Sequence, residues 1–331
     1  MSRNFAHNKN PLLIDHQVAL KHAQKAVELS PENPEYLAFL GRRLWDARRD
    51  QKLAQAQVDS AIELDPDCVV ALIQRTILFN YWGRHKEALP SIERAIKLDP
   101  QNAEALRVRG TTYRGLDRVD DALASYNASL RFRPNVSITY SQKAELLKKH
   151  GDYAEAVEAA SRALELAPKY SRTYKTRAKS LFNLGRFDEA MDDLRAALKY
   201  NPDATSTLTL IPLADVAACP DEEFKKGLLE LASSAVETEK NKLDLAQYKV
   251  RVFVALGETD HALKEAERAL ERNPDSAVLW SEIVLLHVEQ ADLTNACENL
   301  SRSLELDPSW LTHYQLALCQ ATAGDTSGYR A

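Results

Sequence analysis

The chain has 331 residues, which is enough for two ordinary domains or for one array of small units. Apolar residues make up 45% of it and charged residues 27%, a balance that allows a packed core and excludes a disordered chain. A formal net charge of −5 argues against nucleic acid as a partner, because nucleic-acid-binding surfaces are basic.

The start of the chain lacks the apolar stretch of a signal peptide, and no run of residues approaches membrane-spanning length. The four cysteines are far apart and form no CxxC pair, as in a reduced protein. We therefore expect a cytoplasmic protein that has no membrane partner. The cysteines are Cys68, Cys219, Cys297 and Cys319.

Residues 12–30 have the periodicity of a single helix. Asn10 is a candidate N-cap for this helix, and Pro11 suits its first turn, where the missing N–H has no helical partner. We interpret residues 1–33 as an N-terminal segment with a capping helix.

Prolines recur at a spacing of 34 or 35 residues through the first two thirds of the chain and again near its end. Alanine stands twelve residues before each of these prolines, and a small residue stands five before it. Small side chains at helical spacing mark the places where two helices approach closely, and proline ends the second helix. The pattern predicts second helices that end near residues 30, 65, 99, 133, 167, 201, 273 and 307.

A turn precedes most of these second helices, and glycine often occupies it. Gly83, Gly151, Gly185 and Gly257 share one position, where a left-handed backbone would end the first helix. An apolar stripe upstream marks that first helix. Each unit is therefore helix, turn, helix. A single unit has too little apolar surface to fold alone, so neighbouring units must stack.

This unit resembles the tetratricopeptide repeat, whose signature is W-x2-L-G-x2-Y, then A-x3-F, then P. Leu40 and Gly41 keep the L-G pair, while Gly110 and Tyr113 keep the G-x2-Y spacing. The resemblance implies an all-α fold, a right-handed superhelical solenoid of antiparallel helix pairs. It also implies that first helices line a concave groove in which a partner peptide binds.

We predict five repeats of this kind in residues 34–202 and two more in residues 243–309. Residues 203–242 keep the length of a helix pair but lose the alanine and proline pattern. They form a degenerate pair, which is either a bend or a drifted repeat with ordinary stacking, and Pro212 should interrupt its first helix. The pattern in residues 310–331 predicts a further first helix. This helix is either a terminal cap or the start of a repeat that a longer protein would complete.

Catalytic and metal-binding patterns are missing from the sequence. The eight histidines are isolated, and there is no HExxH motif, phosphate-binding glycine loop or GxSxG nucleophile elbow. We therefore expect no catalytic residue, no metal and no cofactor. The chain is interpreted as a non-catalytic scaffold for protein–protein interaction.

Counting positions from the start of each unit identifies the side chains that would face the groove. In the units that begin near residues 34 and 69 these include Trp45, Ile73, Ile77, Asn80 and Tyr81. Ile73, Ile77 and Tyr81 follow one another at intervals of four residues on one helix face, which indicates an apolar anchor site for a ligand. Closer packing against the capping helix is the alternative.

The next three first helices, 103–115, 137–149 and 171–183, contain ten Lys and Arg residues but two acidic residues. This imbalance indicates a basic part of the groove and a protein or peptide partner with an acidic segment. A solvated charged face is the alternative. The basic residues that would face the groove are Arg107, Arg114, Lys148, Arg172, Lys175 and Lys179.

A variant of the family, the carboxylate clamp, grips the acidic C-terminal peptide of a chaperone through five positions. Here those positions hold Arg107, Thr111, Gln142, Arg172 and Thr176. The two arginines match the family's basic residues, whereas the other three replace its Asn, Asn and Arg. The resemblance thus implies an acidic ligand but not a chaperone tail, and it adds Thr111 and Gln142 to the candidate peptide-binding residues.

Two other classes of function stay open. The basic groove leaves open the binding of single-stranded RNA, as in helical-repeat RNA readers, although the acidic isoelectric point and the lack of a repeated base-reading pair argue against it. Alternatively, the array is a regulatory segment of a larger enzyme such as a kinase or a transferase.

Overall fold

The structure is a computed structural model that describes residues 16–201, 205–208, 210–234, 242–290, 292–306 and 308. Throughout these ranges the chain is helix and turn, with no strand, and the all-α fold class is confirmed. The candidate cap at Asn10 and Pro11 and the predicted helix in residues 310–331 lie outside the described ranges.

The chain divides into two compact units, Met1–Leu146 and Leu147–Ala331. The first unit contains α1 (His16–Leu29), α2 (Pro34–Arg48), α3 (Gln51–Leu64), α4 (Val69–Tyr81), α5 (His85–Leu98), α6 (Ala103–Gly115), α7 (Val119–Phe132) and most of α8 (Ser137–His150). The second unit continues with α9 (Tyr153–Leu166), α10 (Ser171–Asn183), α11 (Phe187–Tyr200), α12 (Thr205–Leu208), α13 (Leu213–Ala218), α14 (Glu222–Ser234), α15 (Lys242–Ala255), α16 (Thr259–Arg272), α17 (Ala277–Glu289) and α18 (Leu293–Leu306). The division into repeat segments made above stays a prediction.

Consecutive helices pack as pairs that short turns connect. In the first unit α2 packs on α3, α4 on α5 and α6 on α7, and in the second α10 packs on α11, α15 on α16 and α17 on α18. First helices also pack on one another, α2 on α4 and α4 on α6. Each second helix ends one residue before the predicted position, which confirms the proline signal. The last helical residues are Leu29, Leu64, Leu98, Phe132, Leu166, Tyr200, Arg272 and Leu306.

The turn inside a pair contains one residue with a left-handed backbone. In two turns this residue is not glycine. Asp117 lies 34 residues after Gly83 and has a φ of 58°, and Arg49 lies 34 residues before Gly83 and has a φ of 56°. A side chain at such a φ costs about 1–2 kcal/mol, and glycine avoids this cost. The glycines predicted for this role all have a φ between 72° and 89°: Gly83, Gly151, Gly185 and Gly257.

The alanines twelve residues before the prolines permit the close approach that the sequence predicted. Outside α1 all of them are completely buried, and they are Ala54, Ala88, Ala122, Ala156, Ala190, Ala262 and Ala296. Gly110 serves the same purpose against the fully buried ring of Tyr126, from which an added Cβ would lie 2.6 Å away.

Arg177 on α10 connects three helices of the second unit. Its Nε and Nη2 donate to the two carboxylate oxygens of Asp193 on α11 at 2.8 and 2.7 Å, and its Nη1 donates to Ser161 on α9 at 2.9 Å. Asp193 is 3% exposed. Burial raises the pKa of its carboxyl, and the lowering effect of the Arg177 guanidinium only partly offsets this. The pair therefore holds α10 both to its own partner helix and to the preceding pair.

Two arginines of the first unit repeat this arrangement at the same repeat position. The Nε of Arg109 donates to Ser125 on α7 at 3.1 Å, and its Nη1 lies 3.7 Å from a carboxylate oxygen of Glu93 on α5. Arg75 on α4 donates to Ser91 on α5 at 3.4 Å. Basic residues at this position thus point into the helix pairs and stabilise their packing.

The described residues of the degenerate segment, 205–208 and 210–234, contain α12, α13 and α14. Pro212 is the N-cap of α13 and separates it from α12, which confirms the predicted interruption. The helix α14 begins after Asp221, whose Oδ1 accepts a hydrogen bond from the backbone N–H of Phe224 at 2.7 Å.

The segment stacks closely on the pair before it. The ring of Phe224 lies 5.4 Å from that of Phe182, centroid to centroid, in a core that also includes Leu228. An added Cβ on Gly227 would lie 2.8 Å from the methyl group of Met191. Close stacking of this kind is compatible with a drifted repeat, and the choice between a drifted repeat and a bend stays a prediction.

Candidate functional site

The twelve predicted peptide-binding residues fall in both units, all on first helices of pairs. The first unit contains Trp45, Ile73, Ile77, Tyr81, Arg107, Thr111, Arg114 and Gln142. The second unit contains Lys148, Arg172, Lys175 and Lys179.

Two of the apolar residues on α4 contribute to the core. Ile73 is 4% exposed and packs with Ile92 of α5 and Val108 of α6, while Ile77 is half-buried against the same cluster. The prediction of an open anchor at Ile73 is therefore wrong. The cause is that α4 contacts neighbours on more than one side, so a residue outside its main stripe is still covered.

Trp45 packs towards the N-terminal helix. It belongs to a cluster with Leu20 of α1, and its indole lies edge-on to that of Trp82, with ring centroids 5.8 Å apart. This contact corresponds to the alternative, packing against the capping helix.

Tyr81 is the apolar candidate that lies on the surface. It is 58% exposed, and its hydroxyl accepts a hydrogen bond from Nη2 of Arg42 on α2 at 3.1 Å. The Arg42 guanidinium also lies over the ring, 4.7 Å from its centroid. The ring is thus exposed but held in place.

Arg107, Thr111 and Gln142 form one polar cluster across α6 and α8. The Arg107 guanidinium binds Glu104 through two parallel hydrogen bonds of 3.1 and 2.5 Å, and its Nη1 donates to Oε1 of Gln142 at 3.2 Å. The Thr111 hydroxyl lies 3.4 Å from the same Gln142 oxygen and 3.3 Å from the Arg107 carbonyl. The side chain of Arg107 is 13% exposed, so packing fixes the guanidinium in this cluster.

Arg114, one helical turn after Thr111, pairs with Glu145 on α8 at 3.3 Å. Close by, Nδ2 of Asn80 on α4 donates to the hydroxyl of Thr112 at 2.9 Å, and its Oδ1 lies 3.0 Å from Nδ1 of His85. Burial and the positive charge of Arg114 lower the pKa of His85. Polar side chains therefore connect α4, α6 and α8 on the side where first helices meet.

In the second unit, Lys179 pairs with Asp215 of α13 at 2.7 Å and lies 5.2 Å from the centre of the Phe182 ring. Arg172 is exposed, while Lys175 and Lys148 are half-buried. Thr176, at the last clamp position, is buried and its hydroxyl donates to the Arg172 carbonyl at 3.2 Å. Thr176 thus carries no charge and uses its hydroxyl proton within the helix, in agreement with the departure from the clamp.

The imbalance of ten basic residues to two acidic ones overstates the positive charge at these helices. Asp215 from the degenerate segment, Asp193 from α11 and Glu93 from α5 all reach basic side chains of first helices. A count along first helices misses these acids because they come from other elements. Part of the predicted positive charge is therefore neutralised within the chain.

Within the described ranges no group of three or more His, Cys, Asp and Glu side chains is placed to hold a metal ion. No helix in the same part of the chain combines the length and apolar character needed to cross a membrane.

Helix pairs of 34 residues, stacked through buried alanines and ended by proline, define an α-helical repeat protein. Profiles of the tetratricopeptide repeat family match residues 82–137, 147–209 and 249–309, which is more than half of the chain. The chain therefore belongs to the tetratricopeptide repeat family, whose members bind protein or peptide partners.

No curated protein matches the sequence. Among solved structures, YrrB, a tetratricopeptide repeat protein with an unusual peptide-binding site, is 20% identical, covers 57% of this chain and 97% of its own, and has a TM-score of 0.42. A tetratricopeptide repeat protein from Parabacteroides merdae is 15% identical, with coverages of 91% and 99% and a TM-score of 0.45. The Cut9–Hcn1 hetero-tetramer of the APC/C is also 15% identical, with coverages of 92% and 58% and a TM-score of 0.47. These similarities concern the fold alone.

Proposed function

We propose that this chain is a non-catalytic scaffold that binds a partner protein through a segment rich in Asp and Glu. In each unit the binding face is the side on which its own first helices carry basic and polar residues. The observation that supports this most strongly is the cluster of Arg107, Thr111 and Gln142, in which side chains of two neighbouring helices meet.

The cluster suits a carboxylate because it already holds one. Glu104 binds the Arg107 guanidinium in the parallel, two-bond geometry that arginine offers to carboxylates. The side chain of Glu104 is 45% exposed, whereas that of Arg107 is 13% exposed and fixed by Gln142. A ligand carboxylate can therefore displace Glu104 into solvent and take its place without moving Arg107.

The second unit offers a comparable arrangement on α10. Lys179 is 18% exposed and its partner Asp215 is 43% exposed, so the acid is again the more exposed member of the pair. Arg172 and Lys175 lie on the same helix and add positive charge. Charges of one sign on a helix face attract an acidic segment before contact and orient it.

Affinity capture with mass spectrometry tests this function. Partner proteins captured by the wild-type chain should be lost with Arg107→Gln and with the double variant Lys175→Gln/Lys179→Gln. Neutral substitutions are preferred to charge reversal, because a new Glu would lie beside Glu104 or Asp215 and perturb folding.

Lys199→Gln and Arg268→Gln are the matched controls, since both remove an exposed charge from a second helix. They should retain the partner. Loss of the partner with these controls but not with the first-helix variants would overturn the proposed face. We also propose a cytoplasmic location, which Cys68, Cys219 and Cys297 support because none of them is in a disulfide.

A further inference from the structure

The helix α1 differs from the other second helices in the exposure of one face. Three positions of a second helix, twelve, eight and five residues before the repeat proline, face the first helix of the same pair. Ala54 on α3, for example, lies against Gly41 on α2. On α3, α5, α7, α9, α11, α16 and α18 the residues at these positions are at most 5% exposed. On α1 they are Ala19, Ala23 and Ala26, and all three are only half-buried.

The helix α2 shows the same difference on the side where a preceding first helix would pack. The residue five positions after the repeat proline lies on that side, since Ala71 on α4 packs in one cluster with Ala38 on α2. On later first helices the residue at this position is completely buried, and it is Ala71, Ala105, Thr139, Thr173 or Leu279. On α2 it is Tyr36, which is 39% exposed. Arg43, two turns further along the same side of α2, is 32% exposed.

These residues form one surface, because α1 packs on α2. We call the surface made by Ala19, Ala23, Ala26, Tyr36 and Arg43 the N-terminal face. Its positions are those that a first helix covers elsewhere in the chain. The element that fits the N-terminal face is therefore a first helix of the same kind of repeat.

The ion pairs around the N-terminal face indicate a neutral occupant. Arg43 pairs with Asp46 at 3.1 Å, and Lys25 on α1 pairs with Glu28 at 3.0 Å. His22 on α1 is exposed. A charged helix would have to compete with the existing pairs, whereas a neutral helix would cover the face without leaving one of these charges unpaired.

One segment of this chain matches the N-terminal face in pattern and in charge. The sequence of residues 310–331 predicts a first helix, with Tyr314 at the stripe position that Trp280 takes on α17. Residues 311–323 contain no Lys, Arg, Asp or Glu. The chain's own residues 1–15 fit less well, because Pro11 would interrupt a helix of 13–15 residues, which is the length of the first helices here.

Side-chain size at the helix crossing points to the same segment. The residue ten positions after a repeat proline meets the one eight positions before the next, as Gly110 meets Tyr126, from which an added Cβ would lie 2.6 Å away. In the pair of α15 and α16 the sizes are reversed, and a valine of α15 packs with Ala266. Leu318 is the largest residue at the first of these positions, and Ala23 on α1 is among the smallest at the second. The two therefore suit each other in size.

We propose that the first helix predicted in residues 310–331 of one copy packs on the N-terminal face of a second copy. Two different surfaces meet in this contact, so it does not close into a symmetric dimer, and copies add one after another. The self-association is independent of the proposed function. Each added copy brings one more partner-binding face, which would strengthen the binding of a partner that has several acidic segments.

Sedimentation equilibrium of the full chain over a range of concentrations tests the self-association. The weight-average molar mass of wild-type protein should rise above the 37.1 kDa of one chain and continue past twice that value. Ala26→Arg should block the N-terminal face and Leu318→Arg the C-terminal helix, because each places a long charged side chain in the contact. Each variant alone should keep the mass of one chain and the helicity of wild-type protein.

A mixture of the two variants distinguishes a head-to-tail contact from a symmetric one. Ala26→Arg keeps an intact C-terminal helix and Leu318→Arg keeps an intact N-terminal face, so equal amounts should form a dimer that grows no further. Ala124→Arg is the matched control, since Ala124 is an exposed alanine on the second helix α7. This variant should associate as wild-type protein does.

A synthetic peptide of residues 309–325 gives a measurement that does not depend on the folding of Leu318→Arg. In excess it should lower the molar mass of wild-type protein towards that of one chain, and no effect would overturn the proposal. A wild-type mass of one chain at every concentration, or a mixture that stays monomeric, would also overturn it. Association that Leu318→Arg leaves unchanged would mean that two N-terminal faces meet instead.

Discussion

The contact between Arg177 and Asp193 predicts a strong asymmetry between two substitutions. Arg177→Met would leave the carboxylate of Asp193 at 3% exposure without its cation. Breaking a buried ion pair from one side costs about 3–5 kcal/mol of unfolding free energy. Asp193→Ser should cost about 1 kcal/mol, because it removes the buried charge and loses the net value of a hydrogen bond. At the equivalent positions of the first unit the arginine already faces a serine: Arg75 donates to Ser91 and Arg109 donates to Ser125.

Urea unfolding followed by circular dichroism measures both costs. The double variant Arg177→Met/Asp193→Ser should be less destabilised than the sum of the single variants, with a coupling energy of about 0.5–3 kcal/mol. Equal losses of unfolding free energy in the two single variants, or additive losses in the double variant, would refute the conclusion that Arg177 and Asp193 form a buried ion pair.

The destabilisation by Arg177→Met should also depend on pH. Burial raises the pKa of Asp193 in the folded chain above its unfolded value, so protonation stabilises the folded state as the pH falls through the folded pKa. In Arg177→Met the cation that lowers the pKa of Asp193 is missing, so the stabilisation by protonation is larger than in wild-type protein. The difference in unfolding free energy between wild-type protein and the variant should therefore shrink on acidification, and a difference independent of pH would contradict the argument.

Three further predictions concern the repeat architecture. Ala122→Leu or Ala190→Leu should overpack a helix crossing and cost about 1–3 kcal/mol in urea unfolding, and a neutral result at both positions would contradict the close approach. Arg49→Gly should stabilise the chain and Gly83→Ala should destabilise it, each by about 1 kcal/mol. An added Cβ on Gly83 meets no atom within 4 Å, so no change in its melting temperature would contradict the strain argument. Limited proteolysis should begin between Thr205 and Pro220, because α12 and α13 have only 4 and 6 residues and therefore few helical hydrogen bonds to protect them. First cleavage within residues 70–200 would contradict this prediction.

Much of the fold could be predicted because the repeat has a simple physical cause at each position. Proline ends a helix wherever it occurs, so helix ends such as Leu98 and Tyr200 were located to within one residue. Buried alanine at a helix crossing and glycine with a left-handed backbone are equally local requirements. Arg49 and Asp117 escaped notice because they occupy the glycine position at a cost that the rest of the fold tolerates.

The candidate site was harder to predict because its properties depend on contacts between distant residues. Periodicity placed Ile73 on an open face, although α5 and α6 cover it. Counting charges along first helices missed Asp215, which reaches Lys179 from a segment where the repeat pattern is lost. The burial of residues on α17 could not be predicted from residue type, since Leu285 and Leu286 are alike in sequence but opposite in burial.

The dissociation constant of one acidic peptide, measured by calorimetry at low and high salt, tests the central claim most directly. The proposed face predicts binding that weakens with salt, because partly exposed charges are screened over about 8 Å at physiological ionic strength. Arg107→Gln should weaken this binding and reduce its salt dependence, while Lys199→Gln should change neither. Binding that is insensitive to salt, or an equal effect of both substitutions, would contradict the account.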